Sequence, residues 1–378
     1  MNKQIFILAM AAFGFVACSS DETVAVNQND SDAITFRPIV NGTTRAADID
    51  AGSGTYGLQT LGFTVFANVG SSETNYFPET AFTYSDGTYT SGTKYYWPSS
   101  GTLDFFAYQY SQSAYNTVTH TALTKAFTVT PSATAANQTD LVVACTTGKS
   151  KASNSAGVTL NFRHAESKIT VQLKNTSTTL KVTVKDVAIG YLNTTGTYTY
   201  SGSTTNTDTD HASEYLKFAD WTAKSGTGSY TQTATTTSYT SATATAALPE
   251  SFILIPQALT TATAYSGTTP RVGDTPGSPF NGAFITVELK IQNATTDAYI
   301  VGGGENYVTA LWPLPAGTWN PGYHYTYTVD LAGGGYYPDN RDTNTDLDPI
   351  LGGAEIKFVD VTVDSWSDQT NINVPPTN

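Results

Sequence analysis

Apolar and polar residues alternate with a period of two along much of the chain. Ile169, Val171 and Leu173 oppose Thr170, Gln172 and Lys174, and Leu180, Val182 and Val184 oppose Lys181, Thr183 and Lys185. Ile285, Val287, Leu289 and Ile291 oppose Thr286, Glu288 and Lys290. Tyr323, Tyr325, Tyr327, Val329 and Leu331 oppose His324, Thr326, Thr328 and Asp330. A period of two places one face of a strand on a core and the other in water. In AEIKFVDVTVDSW the apolar phase slips by one residue between Phe358 and Val359, as a β-bulge requires. The best candidate for an amphipathic helix, Ser113–Lys125, is short and weakly periodic. The pattern predicts an all-β protein of packed sheets.

Departures from the pattern suggest how the chain is divided. Between DLVVAC and GVTLNFRHAESKITV lies TTGKSKASNSA, polar and aperiodic, which predicts a linker and a boundary between domains at 34–152 and 153–378. Asn193–Ser213 and Thr222–Ala246 are Thr/Ser/Gly/Ala tracts broken by Tyr. They read as long loops or a solvated hairpin, outside any core.

The N-terminus carries an export signal. Lys3 precedes the apolar run Ile5–Ala17, too short to span a bilayer but of the right length for a signal-peptide core. The run ends GFVAC, which resembles a bacterial lipobox, so residues 1–17 read as a signal peptide and Cys18 as the lipidated residue. An ordinary signal peptide followed by an unmodified cysteine is the plainer alternative. Residues 18–33 are polar and acidic, as a flexible tether is. With Cys18 acylated, the second of the two cysteines, Cys145, has no disulfide partner within the chain, and it reads as a small apolar residue at a strand end. Removing the signal takes away Lys3 alone and moves the net charge from −13 to −14. With no basic block anywhere, neither nucleic acid nor an anionic membrane surface is favoured as a partner.

Candidate chemistry is sparse. Gly52, Gly54 and Gly57 satisfy G-x-G-x-x-G, but a loop precedes them and a strand-like LQTLGFTVFA follows, the wrong setting for a dinucleotide. Asp342, Asn344, Asp346 and Asp348 have the every-second-residue spacing of calcium ligands. Leu347 and Gly353 break the EF-hand form of that loop, and a solvated acidic loop is the simpler reading. Asn206, Asp208 and Asp210 echo the spacing more weakly. His120, His164, His211 and His324 have no metal-ligand spacing, and there is no nucleophile elbow. The reading is a non-enzyme without a cofactor. Aromatic clusters in KYYWP (94–98) and GGGYYPDN (333–340) leave one alternative, a monomeric surface lipoprotein that binds glycans through aromatic loops.

The first strand-like run, ITFRPIV, is the most informative segment. Ile34 and Phe36 share a face and Val40 continues the parity, while Pro38 lacks an N–H and so suits an edge strand. Burying three such side chains stabilises by about 5–9 kcal/mol, comparable with the net stability of a domain, about 5–15 kcal/mol. Arg45 and Ala46 follow the turn-forming Asn41-Gly42 among small residues, where a protease with an acidic pocket finds a grip. A loop arginine without a role is the alternative there. Arg37 is a poorer cleavage site, being inside the strand and followed by Pro38.

ITF…TRAAD, KYYWPSSGTLDFFAYQ, DLVVAC, VTLNFRHAESKITV, FILIPQ, YTYTVDL and IKFVDVTVDSW, in that order over residues 34 to 366, resemble the fimbrillin family, in particular its Mfa-like branch. The resemblance implies two tandem transthyretin-like β-sandwich domains in a pilus subunit exported as an outer-membrane lipoprotein. It implies that an Arg-directed protease removes the first strand (34–45) and that a strand of another fimbrial subunit fills the groove. Donor strands in that family come from C-terminal tails. The tail here, QTNINVPPTN, alternates only at Ile372 and Val374 before Pro375-Pro376, and reads either as a minimal donor or as a frayed end.

Overall fold

A computed structural model describes residues 32–40, 49, 53–70, 75–110, 117–121, 125–200, 218–239, 246–260, 282–337, 349–352 and 358–366. Cys18, Arg45, Ala46, Asp342, Asn344, Asp346, Asp348, Ile372 and Val374 lie outside them, as do the signal segment, the tether and the Asn206–Asp210 acidic loop. No helix among the described residues is long and apolar enough to cross a membrane.

The first half of the chain forms β1 (Phe36–Val40), a single helical turn α1 (Leu58–Leu61), β2 (Phe63–Val69), β3 (Asn75–Ser85), β4 (Thr88–Thr90), β5 (Leu103–Tyr110), β6 (Thr117–Thr121), β7 (Ala126–Thr130), β8 (Leu141–Lys149) and β9 (Val158–His164). Then follow β10 (Ser167–Lys174), β11 (Leu180–Leu192), β12 (Thr195–Thr199), β13 (Trp221–Ser225), β14 (Gly228–Tyr239), β15 (Ala246–Ala247), β16 (Phe252–Leu254) and β17 (Ala258–Leu259). The chain continues with β18 (Phe284–Asn293), β19 (Tyr299–Val301), β20 (Val308–Pro313), β21 (Gly317–Thr318), β22 (Tyr323–Asp330) and β23 (Phe358–Ser365).

A seven-stranded sheet runs β1-β9-β8-β5-β2-β3-β4. Its central strands are buried on both faces, which is why DLVVAC and LDFFAYQY read as continuous apolar runs. Val142 and Ala144 face one core with Phe63, Phe105 and Leu160. Leu141 and Val143 face another, shared with Phe127, Tyr198 and Trp221 of the four-stranded sheet β13-β12-β7-β6. A third core fills a sandwich between β10-β22-β23 and β14-β11-β18, where Ile169, Val171, Leu173, Tyr325, Tyr327 and Val329 meet Val182, Val184, Ile285, Val287, Leu289 and Ile291.

Several sequence expectations need correction. Residues 117–121, within the helix candidate, form β6, hydrogen-bonded to β7. The start of LQTLGFTVFA makes the helical turn α1, ended by Gly62 at φ +71°, where a Cβ would sit 2.4 Å from the Phe82 carbonyl oxygen. The described parts of the Thr/Ser tracts are not peripheral: they supply β12 and β14, and their tyrosines Tyr198, Tyr200, Tyr230 and Tyr239 are buried. Thr and Tyr suit a pleated, half-buried surface, and low complexity does not stop them from packing. Cys145 lies inside β8 and not at its end. β9 is hydrogen-bonded between β1 and β8, and β12 and β13 extend the sheet of β6 and β7, so both of these sheets draw on residues from either side of the 152/153 boundary. The bulge expected at Phe358–Val359 is present, with Val359 the extra residue: Thr328 pairs with Asp360 and Val329 with Phe358.

The chain passes from the first sheet to the sandwich at the corner between β9 and β10. There Ala165 N–H donates to the Leu141 carbonyl (2.8 Å) and Gly322 N–H to the Glu166 carbonyl (2.8 Å). Trp221 Nε1–H donates to the Ala165 carbonyl (2.8 Å), and Ser167 Oγ–H to that of Asn320 (2.8 Å). His164, expected to be a surface or packing residue, is a packing one. It is buried, bonded through Nδ1 to Asp140 Oδ2 at 2.8 Å, and stacked on Trp366 with centroids 4.1 Å apart. Glu166 is fully buried and accepts Leu141 N–H at 3.1 Å. Burial, reinforced by the charge of Asp140, pushes its carboxyl well above the usual range.

A raised carboxyl pKa means that the folded chain holds this proton more tightly than the unfolded one. The stability involved is complete below the unfolded value and is lost as pH rises towards the folded one. Glu166→Gln, which stays neutral, is therefore expected to gain more over the parent at pH 8 than at pH 5, as read from urea midpoints.

Candidate functional site

β1 is held by the rim of the first sheet. It pairs in parallel with β9, with Phe36 opposite Val158, Pro38 opposite Leu160 and Val40 opposite Phe162. Among the described residues no strand lies on its other side, the edge position that Pro38 predicts. Gly157, at φ +99°, lets the start of β9 come close: a Cβ there would stand 3.0 Å from Thr35 Oγ1 and 3.4 Å from Arg37 Cγ. Across this contact Val158 N–H donates to the Thr35 carbonyl at 2.8 Å.

The inward face of β1 is the one anticipated. Ile34 and Phe36 are 6% and 4% exposed, whereas Val40 is only half-buried. The Phe36 ring meets three others edge-on, Phe82 at 4.9 Å, Phe105 at 5.4 Å and Phe63 at 6.3 Å. Such pairs add about 0.5–1.5 kcal/mol each beyond area burial. Outward, Arg37 donates to Thr159 Oγ1 at 3.1 Å, and Ile39 is 46% exposed. The start of the segment is tied by Ile34 N–H to the Tyr95 carbonyl (2.7 Å), by Trp97 N–H to that of Asp32 (3.2 Å), and by the Lys151–Asp32 ion pair.

Arg45 and Ala46 fall between two anchored residues. Val40 ends β1, and Ile49 is fully buried, its N–H donating to Asp140 Oδ2 at 3.0 Å. Asp140 thus serves both Ile49 and His164. Sequence reasoning missed this anchor, because a single isoleucine after AAD belongs to no periodic run. The clue was an acid directly before the fully apolar LVVA.

The other candidate groups do not converge. His120 pairs with Glu79 at 2.5 Å and stacks on Phe127, and its imidazole is pushed below its ordinary value by burial. His324 bonds Thr170 Oγ1 at 2.7 Å, far from both other described histidines in sequence and in partner. No group of three His, Cys, Asp or Glu suited to a metal ion occurs among the described residues. The aromatic clusters are engaged in packing: Trp97 is buried, Tyr95 stacks on Phe77 at 4.3 Å, and Tyr337 lies against the sandwich core.

A fimbrial protein from Bacteroides vulgatus is similar in structure at 14% identity, with a TM-score of 0.49 over 88% of this chain and 99% of that one. A candidate cell adhesion protein from Bacteroides ovatus has 17% identity and a TM-score of 0.43, covering 92% and 100% of the two chains. A second such protein, from Bacteroides uniformis, has 15% identity and a TM-score of 0.42, covering 89% and 100%. No curated protein sequence matches the chain. The model of the fimbrillin-like family matches residues 44–366, and the chain belongs to that family.

Proposed function

We propose that this protein is a structural subunit of a surface fimbrium, made as an outer-membrane lipoprotein anchored through Cys18 and supporting adhesion. In this reading it comprises two transthyretin-like sandwich domains. An Arg-directed protease cuts between Arg45 and Ala46, β1 leaves, and a strand from another fimbrial subunit takes its place. In the tail, Ile372 and Val374 are the residues offered to a neighbour. The family supports a non-enzymatic surface subunit that assembles with other fimbrial subunits.

The observation that carries the reading is the position of β1. It is an edge strand held by the buried Phe36, with the buried Ile34 just before it, and its C-terminal connection runs through the eight residues 41–48 that contain Arg45. Taking it away leaves β9 with unpaired backbone groups beside an apolar groove, and strand addition satisfies both at once. The step needs no nucleotide, metal or cofactor. The Ile49–Asp140 bond lies on the far side of the cut, so the remaining chain keeps its first anchor.

Low-dose trypsin is expected to convert the mature protein into SDS-resistant ladders whose subunits begin at Ala46. Arg45→Ala should abolish both the cut and the ladders, and ladders that persist in this variant would sink the proposal. Phe36→Ala should weaken the hold on β1 by about 3–5 kcal/mol, observed as faster release of the strand after cleavage. Cys18→Ala should lose labelled palmitate, and retention of the label would refute the anchor.

A further inference from the structure

The surroundings of Phe36 identify which strand suits the groove. We propose that the site under β1 selects a donor strand bearing an aromatic side chain at the position opposite Val158, and that its occupant in a fibre is therefore a strand of a different subunit and not the tail of a second copy. The inference rests on the strand-removal reading given above.

Two segments far apart in the chain share a pattern. Ile34-Thr-Phe36-Arg-Pro38 and Ile372-Asn-Val374-Pro-Pro376 both read Ile-x-apolar-x-Pro. Laid in the register of β1, the tail would put Ile372 where Ile34 sits, Val374 where Phe36 sits and Pro376 opposite Leu160. Pro is accepted at that last position because the native strand already has Pro38 there. Two of these three positions match and the third, Val374 for Phe36, does not. Pro375 would fall at Arg37, whose N–H donates to the Val158 carbonyl in this parallel register, so the tail also forgoes one ladder bond.

Phe36 occupies a socket walled by Phe82, Phe105 and Phe63, all edge-on to its ring. Those walls belong to β3, β5 and β2, the interior of the sheet, and they are braced by one another and by further rings. Phe63 stacks with Phe82 at 5.9 Å and lies 5.5 Å from Phe162, while Phe105 lies against Trp97 at 5.8 Å and Phe77 at 6.3 Å. A socket braced in this way relaxes only partly around a smaller side chain, so valine leaves an unfilled space and loses all three ring contacts. The loss amounts to about a hundredfold in affinity, taking cavity costs of this kind at about 1.4 kcal/mol per tenfold. The half-buried Val40 position is far less selective, since any β-branched residue suits a half-covered rim.

The experiment uses the full mature chain cut at Arg45 and fluorescent peptides, with binding read by anisotropy. The peptides are residues 33–40, the same with Phe36→Val, residues 370–378, and the same with Val374→Phe. The aromatic-bearing member of each pair is expected to bind about a hundredfold more tightly, with the native tail the weaker of its pair. Equal binding by the native tail and its Val374→Phe form, or no loss on Phe36→Val, overturns the selection and leaves strand removal standing. Failure of every peptide, the chain's own strand included, brings down the strand-removal reading and this proposal with it.

Discussion

The turn from β9 into β10 is where the architecture is decided. Within the three residues Ala165–Ser167, backbone or side-chain groups bond to the start of β8, to β13 and to the loop before β22. Beside it, two fully buried carboxyl groups, Asp140 and Glu166, are tolerated because backbone N–H groups and an imidazole point at them. Leaving such groups unpaired in a dry interior costs several kcal/mol each, so the arrangement accepts little variation. Its specificity lies in direction: each bond fixes one element relative to another, which apolar contact alone does poorly.

β1 stands outside this network. Its hold comes from apolar burial, one parallel ladder and a few ties at its N-terminal end, none of which passes through the corner. The polar bonds that orient the sheets and the apolar contacts that retain the strand are separate sets. Under the proposed strand removal, that separation lets one strand leave without loosening the corner.

Much of this was legible in the sequence. Strict alternation marked β10, β11, β18 and β22 because one face of each lines the sandwich core, but the expected wet face fails for β10, whose Lys168 and Thr170 are buried. The phase slip at Phe358–Val359 marked a bulge because the side-chain period allows no other repair. Ile34, Phe36 and Pro38 announced an edge strand for the same kind of reason. The Thr/Ser tracts misled because composition says little about burial when tyrosine supplies the apolar surface. The corner was hidden for a different reason. His164, Asp140 and Glu166 are ordinary surface residue types, and only the fold brings together residues from two segments more than twenty positions apart. The parallel pairing of β1 was equally hidden, since strand direction leaves no trace in a period of two.

That parallel pairing bears on the order in which the molecule forms. Arg37 and Thr159, neighbours across the ladder, are 122 residues apart in the chain. Contacts of such long range are slow to close, because the entropy of the intervening loop is spent before the contact returns anything. β2, β3 and β5 pair over much shorter separations and can assemble while β9 is still missing. β1, the first of the described strands to be synthesised, is thus among the last to dock. Under the proposed strand removal, the body left behind has the same open rim as the body that awaits β1 during folding, so folding would pass once through the shape that the proposal assigns to assembly.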